Sequence, residues 1–201
     1  MDDLTVIIAS FGDDRWLELA QERAIPSLDG WDDTFIYHLG DTTNISVGEV
    51  RNMAVRVCKP DGWICFLDPD DELAPDYLHI MQRAATNPAD LYVPALKIGA
   101  GPAKVLDDRD IINGMNPCPI GTLIHRDTFD AVGGFWNEPA WEDWSLFRRV
   151  ALGGGKLHFV PDAIYKAYSG PHGRNSTIPN PQQLRRDIIE SHTDWVHREE
   201  T

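Results

Sequence analysis

The chain has 201 residues, 42% of them hydrophobic and 25% charged, a globular composition that excludes general disorder and leaves room for one well-cored domain. Its formal net charge of −14 opposes non-specific binding to nucleic acid or to an anionic membrane, because both need a basic footprint. No run of about 18 apolar residues occurs and Met1-Asp2-Asp3 lacks the basic start of a signal peptide, so a soluble, cytoplasmic protein without a transmembrane segment is expected.

Leu4 to Ser10 is a β-branched apolar run suited to a buried first strand, broken by Gly12-Asp13-Asp14. Trp16, Leu19, Ala20 and Leu28 predict a helix ending around Pro26, and Thr34 to Leu39 a second strand closed by Gly40-Asp41. Val47, Val50, Ala54 and Val57 share a helical face. Pro60-Asp61-Gly62 then turns into the apolar strand Trp63-Ile64-Cys65-Phe66-Leu67. Pro75 fits the first turn of a helix with Leu78, Met81 and Ala85 inward, and Leu91 to Ile98 reads as a strand in which Pro94 implies an edge or a bulge. This strand–helix alternation argues for a parallel sheet flanked by helices.

From Gly99 to Pro119 periodicity is weak and a loop with short elements is expected. Gly121 to Ile124 predicts a short strand, Arg126 to Phe129 a short helix, and Trp144, Phe147, Val150 and Ala151 a helix stopped by Gly153-Gly154-Gly155. Leu157 and Phe159 mark a strand ending at Pro161, residues 169–181 a loop, and Leu184, Ile188, Ser191 and Trp195 a final amphipathic helix. That helix is expected to cover its own domain, with pairing of two copies as the alternative. Cys58, Cys65 and Cys118 form no CxxC and read as buried free thiols.

Three stretches carry chemistry. The buried strand runs into Asp68-Pro69-Asp70-Asp71-Glu72, four carboxylates that repel by about 2–3 kcal/mol per pair at ~6 Å and an effective dielectric near 20. A cation relieves such repulsion, and an Asp-x-Asp of this kind suits Mg²⁺ or Mn²⁺ with positions left for phosphate oxygens. An acidic turn solvated by water is the plain alternative. An EF-hand fails, because position 6 would be Leu73 and position 12 His79. Glu142-Asp143, between Trp141 and Trp144, fits either acids complementing a helix N-terminus or a general base beside a sugar. Arg51-Asn52 lies mid-helix next to core positions, and His172 to Ser176 includes a cationic loop segment able to close over a diphosphate. P-loop, GxGxxG, GxSxG and HExxH motifs are absent.

Together these segments resemble family-2 glycosyltransferases of the GT-A fold, an α/β architecture with a Rossmann-like, mostly parallel central sheet flanked by helices. The resemblance runs from Thr5 to about Ser176 and rests on Thr5 to Phe11, Ala24 to Leu28, Val50-Arg51-Asn52, Phe66 to Leu73, and Gly133-Gly134-Phe135 through Glu142-Asp143 to Leu146, Arg148 and Gly153. It implies a nucleoside-diphosphate sugar donor, Mn²⁺ or Mg²⁺ as cofactor, an acceptor hydroxyl on a glycan, lipid or protein, and inversion at the anomeric carbon. It also implies a domain over residues 1–178, with a donor half 1–98 and an acceptor half 99–178, followed by the helix at 179–201. Carried over by position, Asp70 ligates the metal and Asp68 contacts the donor ribose or a metal-bound water, with His172, displaced by four residues, as a further candidate ligand. Ser10, Asp41, Arg51, Asp68 and Arg174 face the donor, Arg51 near its base. Asp143 is the general base and Glu142 supports the acceptor.

Two departures are visible. His38-Leu39-Gly40-Asp41 stands where the family commonly has Asp-Asp-Gly-Ser, and Tyr165-Lys166-Ala167-Tyr168 where it often has Tyr-Arg-x-His, with His172 four residues late. A sugar-nucleotide nucleotidyltransferase and a non-catalytic nucleotide-sugar-binding or assembly module are the alternative readings. The first lacks a basic Gly-rich phosphate loop near the first strand, and the second is opposed by the intact set Asp68, Asp70, Glu142 and Asp143.

Overall fold

A computed structural model describes residues 3–40, 45–105, 111, 116–168 and 178–192. The apolar runs form the centre of a seven-stranded sheet in the order β2-β1-β3-β6-β5-β7-β4. β1 (Leu4–Phe11) lies between β2 (Thr34–Leu39) and β3 (Trp63–Phe66), parallel to both. Val6, Ile7, Ile8, Ile64, Cys65 and Phe66 are buried, as near-continuous hydrophobic strands covered on both faces must be. β6 (Leu123–His125) runs antiparallel between β3 and β5 (Leu91–Ile98). β7 (Leu157–Ala167) is parallel to β5, and the two-residue β4 (Glu72–Leu73) closes the edge antiparallel to β7. Five of the seven strands therefore share one direction and deliver their carboxyl ends to one side.

Most expected elements are present. α1 (Arg15–Leu19) continues as a π turn at Ala20–Ala24 and a 3-10 turn at Pro26–Leu28, so the predicted first helix is real but irregular. α2 (Val47–Cys58) is capped by Ser46, whose Oγ accepts from the Glu49 amide at 3.2 Å. α3 (Tyr77–Ala84) buries Leu78 and Met81. α4 (Arg126–Ala131), α5 (Glu142–Leu152) and α6 (Pro181–Ser191) complete the described helices. None of these is long and apolar enough to cross a membrane.

Three expectations are corrected. Val57 is 58% exposed, because the buried face of α2 turns from Val50 and Ala54 to Val55 rather than continuing to Val57. β7 does not end at Pro161: its register against β5 jumps from Pro94↔Val160 to Ala95↔Ile164, so the bulge absorbs Pro161 and the strand runs on to Ala167. The same bulge admits Pro94 to an interior strand. Cys65 and Cys118 are buried free thiols, but Cys58 is only half-buried.

α6 packs on its own domain. Ile188 is buried in the core, and His192, just beyond the helix, is fully buried between Ser145 Oγ at 3.1 Å and Arg148 Nη1 at 2.7 Å. Burial, then Arg148 and Arg149, push the His192 pKa down to about 3, so the ring is neutral near pH 7. Trp195 lies outside the described residues.

Candidate functional site

The acidic stretch leaves the sheet at its centre. Leu67 N–H still pairs with Ile7 C=O at 3.0 Å, after which Asp68 to Asp71 make a turn closed by Asp71 N–H to Asp68 C=O at 3.1 Å. This turn carries the chain from β3 to the sheet edge at β4. One oxygen from each of Asp68, Asp70 and Asp71 lies within 4.8 Å of the others. Burial and then Asp68 raise the Asp70 pKa, and burial with the neighbouring carboxylates pushes Asp71 up to about 8.

Asp71 has a dual position that the sequence did not reveal. Its Oδ2 accepts from Tyr165 Oη–H and its Oδ1 from the Tyr168 amide, each at 2.8 Å, which ties the turn to the end of β7. Tyr165 Oη in turn accepts from Asp68 N–H at 3.3 Å. Arg23, on the π turn, donates to the Asp70 carbonyl at 3.1 Å. A substitution separates the two uses of the turn. Asp71→Asn can accept through only one oxygen, a loss equivalent to about 1–3 kcal/mol, but it also removes an ionisation the fold disfavours, so its destabilisation relative to wild type is expected to shrink between about pH 5 and about pH 8 in calorimetry.

α2 brings the acidic turn and the Glu142-Asp143 pair together. Arg51 is only 4% exposed. Its Nη2 donates to Asp68 Oδ1 and its Nη1 to Glu142 Oε1, both at 2.5 Å, although the second contact joins residues 91 positions apart. Burial works to lower the Arg51 pKa, but Asp68 and Glu142 outweigh it and hold the guanidinium charged. The adjacent Asn52 clamps the backbone of Phe135, donating from Nδ2 to its carbonyl at 2.8 Å and accepting from its amide at 2.9 Å.

The approach demands Gly134. Its φ is +64° and an added Cβ would fall 2.7 Å from Asn52 Oδ1. Gly134→Ala is therefore expected to destabilise the fold by about 1–3 kcal/mol in chemical denaturation. Arg149, fully buried below this turn, donates to the carbonyls of Val132 and of Gly134, the latter at 2.7 Å, and stacks on Trp136 at 4.3 Å.

Asp143 opens α5 half-buried. Its Oδ1 accepts from the Trp144 amide at 2.7 Å and its Oδ2 from Asn116 Nδ2 at 3.1 Å. Burial first and Glu142 second raise its pKa to about 7, against the lowering pull of the Trp144 amide and Arg51. Asn116 gave no signal, since it lies in the stretch of weak periodicity after Gly99. Ser10 sits at the carboxyl end of β1 with its Oγ 2.9 Å from His38 Nδ1. Asp41, His172 and Arg174 lie outside the described residues.

Residues 2–133 match the model of glycosyl transferase family 2. Among solved structures, the chain is similar to TarS from S. aureus in complex with UDP-GlcNAc, at 14% identity and TM-score 0.66 over 92% of this chain and 65% of that one. It is similar to the mannosyltransferase PcManGT from Pyrobaculum calidifontis in complex with GDP-Man and Mn²⁺, at 16% identity and TM-score 0.60 over 92% and 61%. A third similar structure is GalNAc-T7 with UDP, GalNAc and Mn²⁺, at 13% identity and TM-score 0.57 over 93% and 48%. The chain thus spans 48% to 65% of the length of these structures and shares their GT-A fold. No curated protein matches the chain significantly in sequence.

Proposed function

The chain belongs to glycosyl transferase family 2, and on that premise we propose that it is a metal-dependent, inverting glycosyltransferase that moves a sugar from a nucleoside-diphosphate donor to an acceptor hydroxyl. The observation that carries the reading is the single Arg51 guanidinium holding both Asp68 of the acidic turn and Glu142 beside Asp143. A donor site and a base for the acceptor are thereby adjacent. The similar structures solved with UDP-GlcNAc and with GDP-Man support the donor class.

The carboxylate set fits a hard divalent cation, since all its donors are oxygens and they converge within 4.8 Å. Asp71 is committed to Tyr165 and Tyr168, so Asp70 and Asp68 would hold Mn²⁺ or Mg²⁺. When bound, the ion supplies the positive charge that neutralises the leaving diphosphate. The rest falls to the chain. Asp143 takes the proton of the acceptor hydroxyl, the freed oxygen pair forms the bond to the anomeric carbon, and the bond to the diphosphate breaks with its electrons on the leaving oxygen. A carboxylate tuned to about 7 is a stronger base than an ordinary one and is still largely ionised just above neutrality. Glu142, fixed by Arg51, borders the acceptor. A single displacement with one base and no enzyme nucleophile inverts the anomeric configuration.

The carboxylates also set a pH dependence. An unfolded Asp titrates at about 3.9, whereas Asp71 and Asp143 titrate at about 8 and about 7 in the fold. Across that window the folded state binds more protons than the unfolded one, so stability falls as pH rises. The thermal midpoint of the chelator-treated protein is expected to drop from about pH 5 to about pH 8, and Mn²⁺ to raise it most at the upper end. Scanning calorimetry at both pH values reads this.

The reaction is tested by incubating the protein with Mn²⁺, UDP- and GDP-sugars and hydroxyl acceptors, and assigning the product anomer by NMR. Inversion relative to the donor is expected. Retention would remove the single-displacement mechanism.

A further inference from the structure

Arg51 occupies an unusual position for a residue expected to face a nucleobase. It is 4% exposed, both terminal nitrogens end on carboxylates at 2.5 Å, and its guanidinium lies 5.3 Å from the centre of the Phe135 ring. Phe135 is itself fixed by both backbone hydrogen bonds to Asn52. The fork is thus closed on three sides by groups from two distant parts of the chain. One partner, Asp68, belongs to the carboxylate set that fits a cation, and the other, Glu142, adjoins Asp143.

We propose that Arg51 is a positioning residue that couples the two sides of the site: it shares one positive charge between Asp68 and Glu142, so whatever engages one carboxylate changes how firmly the other is held. This deepens the glycosyltransferase reading and rests on it. A cation and the Arg51 guanidinium compete for the charge of Asp68. When the cation takes that charge, the guanidinium settles more fully on Glu142, so the start of α5, and with it Asp143, is held more firmly once the donor side is filled. In the reverse direction, weakening the Glu142 contact drives Arg51 onto Asp68 and lowers cation affinity from a residue that need not touch the cation. Such coupling is reciprocal by necessity.

The test is a double-mutant cycle read by Mn²⁺ titration calorimetry rather than by turnover. Glu142→Asp keeps the charge, so through-space attraction for the cation is nearly unchanged, but it withdraws the carboxylate from Arg51 by one methylene. We expect it to weaken Mn²⁺ binding about fivefold in the wild-type background, within the range of coupling between contacting residues, and to have no effect when combined with Arg51→Met. Arg51→Met alone is expected to tighten Mn²⁺ binding, because the competing cation is gone. If that variant does not fold, Arg51→Gln, which is neutral and too short to span both carboxylates, takes its place in the cycle. Equal effects of Glu142→Asp in both backgrounds, or none in wild type, would overturn the coupling while leaving the metal site intact. Absence of Mn²⁺ binding to the wild-type protein would instead overturn the metal-dependent reading itself.

Discussion

Asp143→Asn is expected to lower kcat by about a thousandfold, in the range contributed by a positioned general base, while leaving the KM for the nucleotide-sugar donor nearly unchanged. The amide has the same shape and can still accept from the Trp144 amide, although it gives up the contact from Asn116 Nδ2. Two further readouts separate chemistry from misfolding. In the wild type, kcat/KM rises with pH through about 7 as Asp143 loses its proton, and this limb disappears from the residual activity of the variant. Stability moves the opposite way. Burial and Glu142 disfavour the Asp143 carboxylate, so removing its ionisation stabilises the fold above neutrality and does nothing near pH 4. A protein that is inactive yet more stable at pH 8 is the expected combination.

Asp70→Asn is the second large effect. Asp70 is the least committed member of the cluster, since the hydrogen bond its carboxylate accepts comes from its own backbone, whereas Asp68 is held by Arg51 and Asp71 by Tyr165 and Tyr168. Its burial and proximity to Asp68 raise its pKa, a cost that a bound cation would reverse. The variant should lose Mn²⁺ affinity by at least about a hundredfold, because even outer-shell partners of metal ligands are worth 10- to 100-fold, and turnover should fall with it. The fold should not suffer. Removing one of three crowded carboxylates relieves repulsion, so the metal-free thermal midpoint at pH 8 stays level or rises.

The sequence made the sheet centre legible because Val6 to Ile8 and Ile64 to Phe66 are apolar, β-branched or aromatic, and bounded by Gly and Pro. The Asp-x-Asp was legible for a related reason: a buried strand ending in carboxylates stands out without any partner in view. What stayed hidden was every contact between distant residues. Arg51 reads as a polar residue in mid-helix, and only the fold brings it to Glu142, 91 positions on. Asp71 reads as a surface acid until Tyr165, 94 positions on, is folded over it. Val57 and Pro161 defy a local pattern, because helical phase and strand termination depend on distant packing. α2 turns its core face slightly, and a bulge carries β7 past its proline.

The central claim is that this acidic turn binds a nucleoside diphosphate through a divalent cation. Titration calorimetry with UDP and GDP, in Mn²⁺ and in chelator, tests it most directly. The account predicts saturable binding of at least one of them only with Mn²⁺, retained in Asp143→Asn and lost in Asp70→Asn. Binding that is equal in chelator, or undiminished in Asp70→Asn, would contradict it.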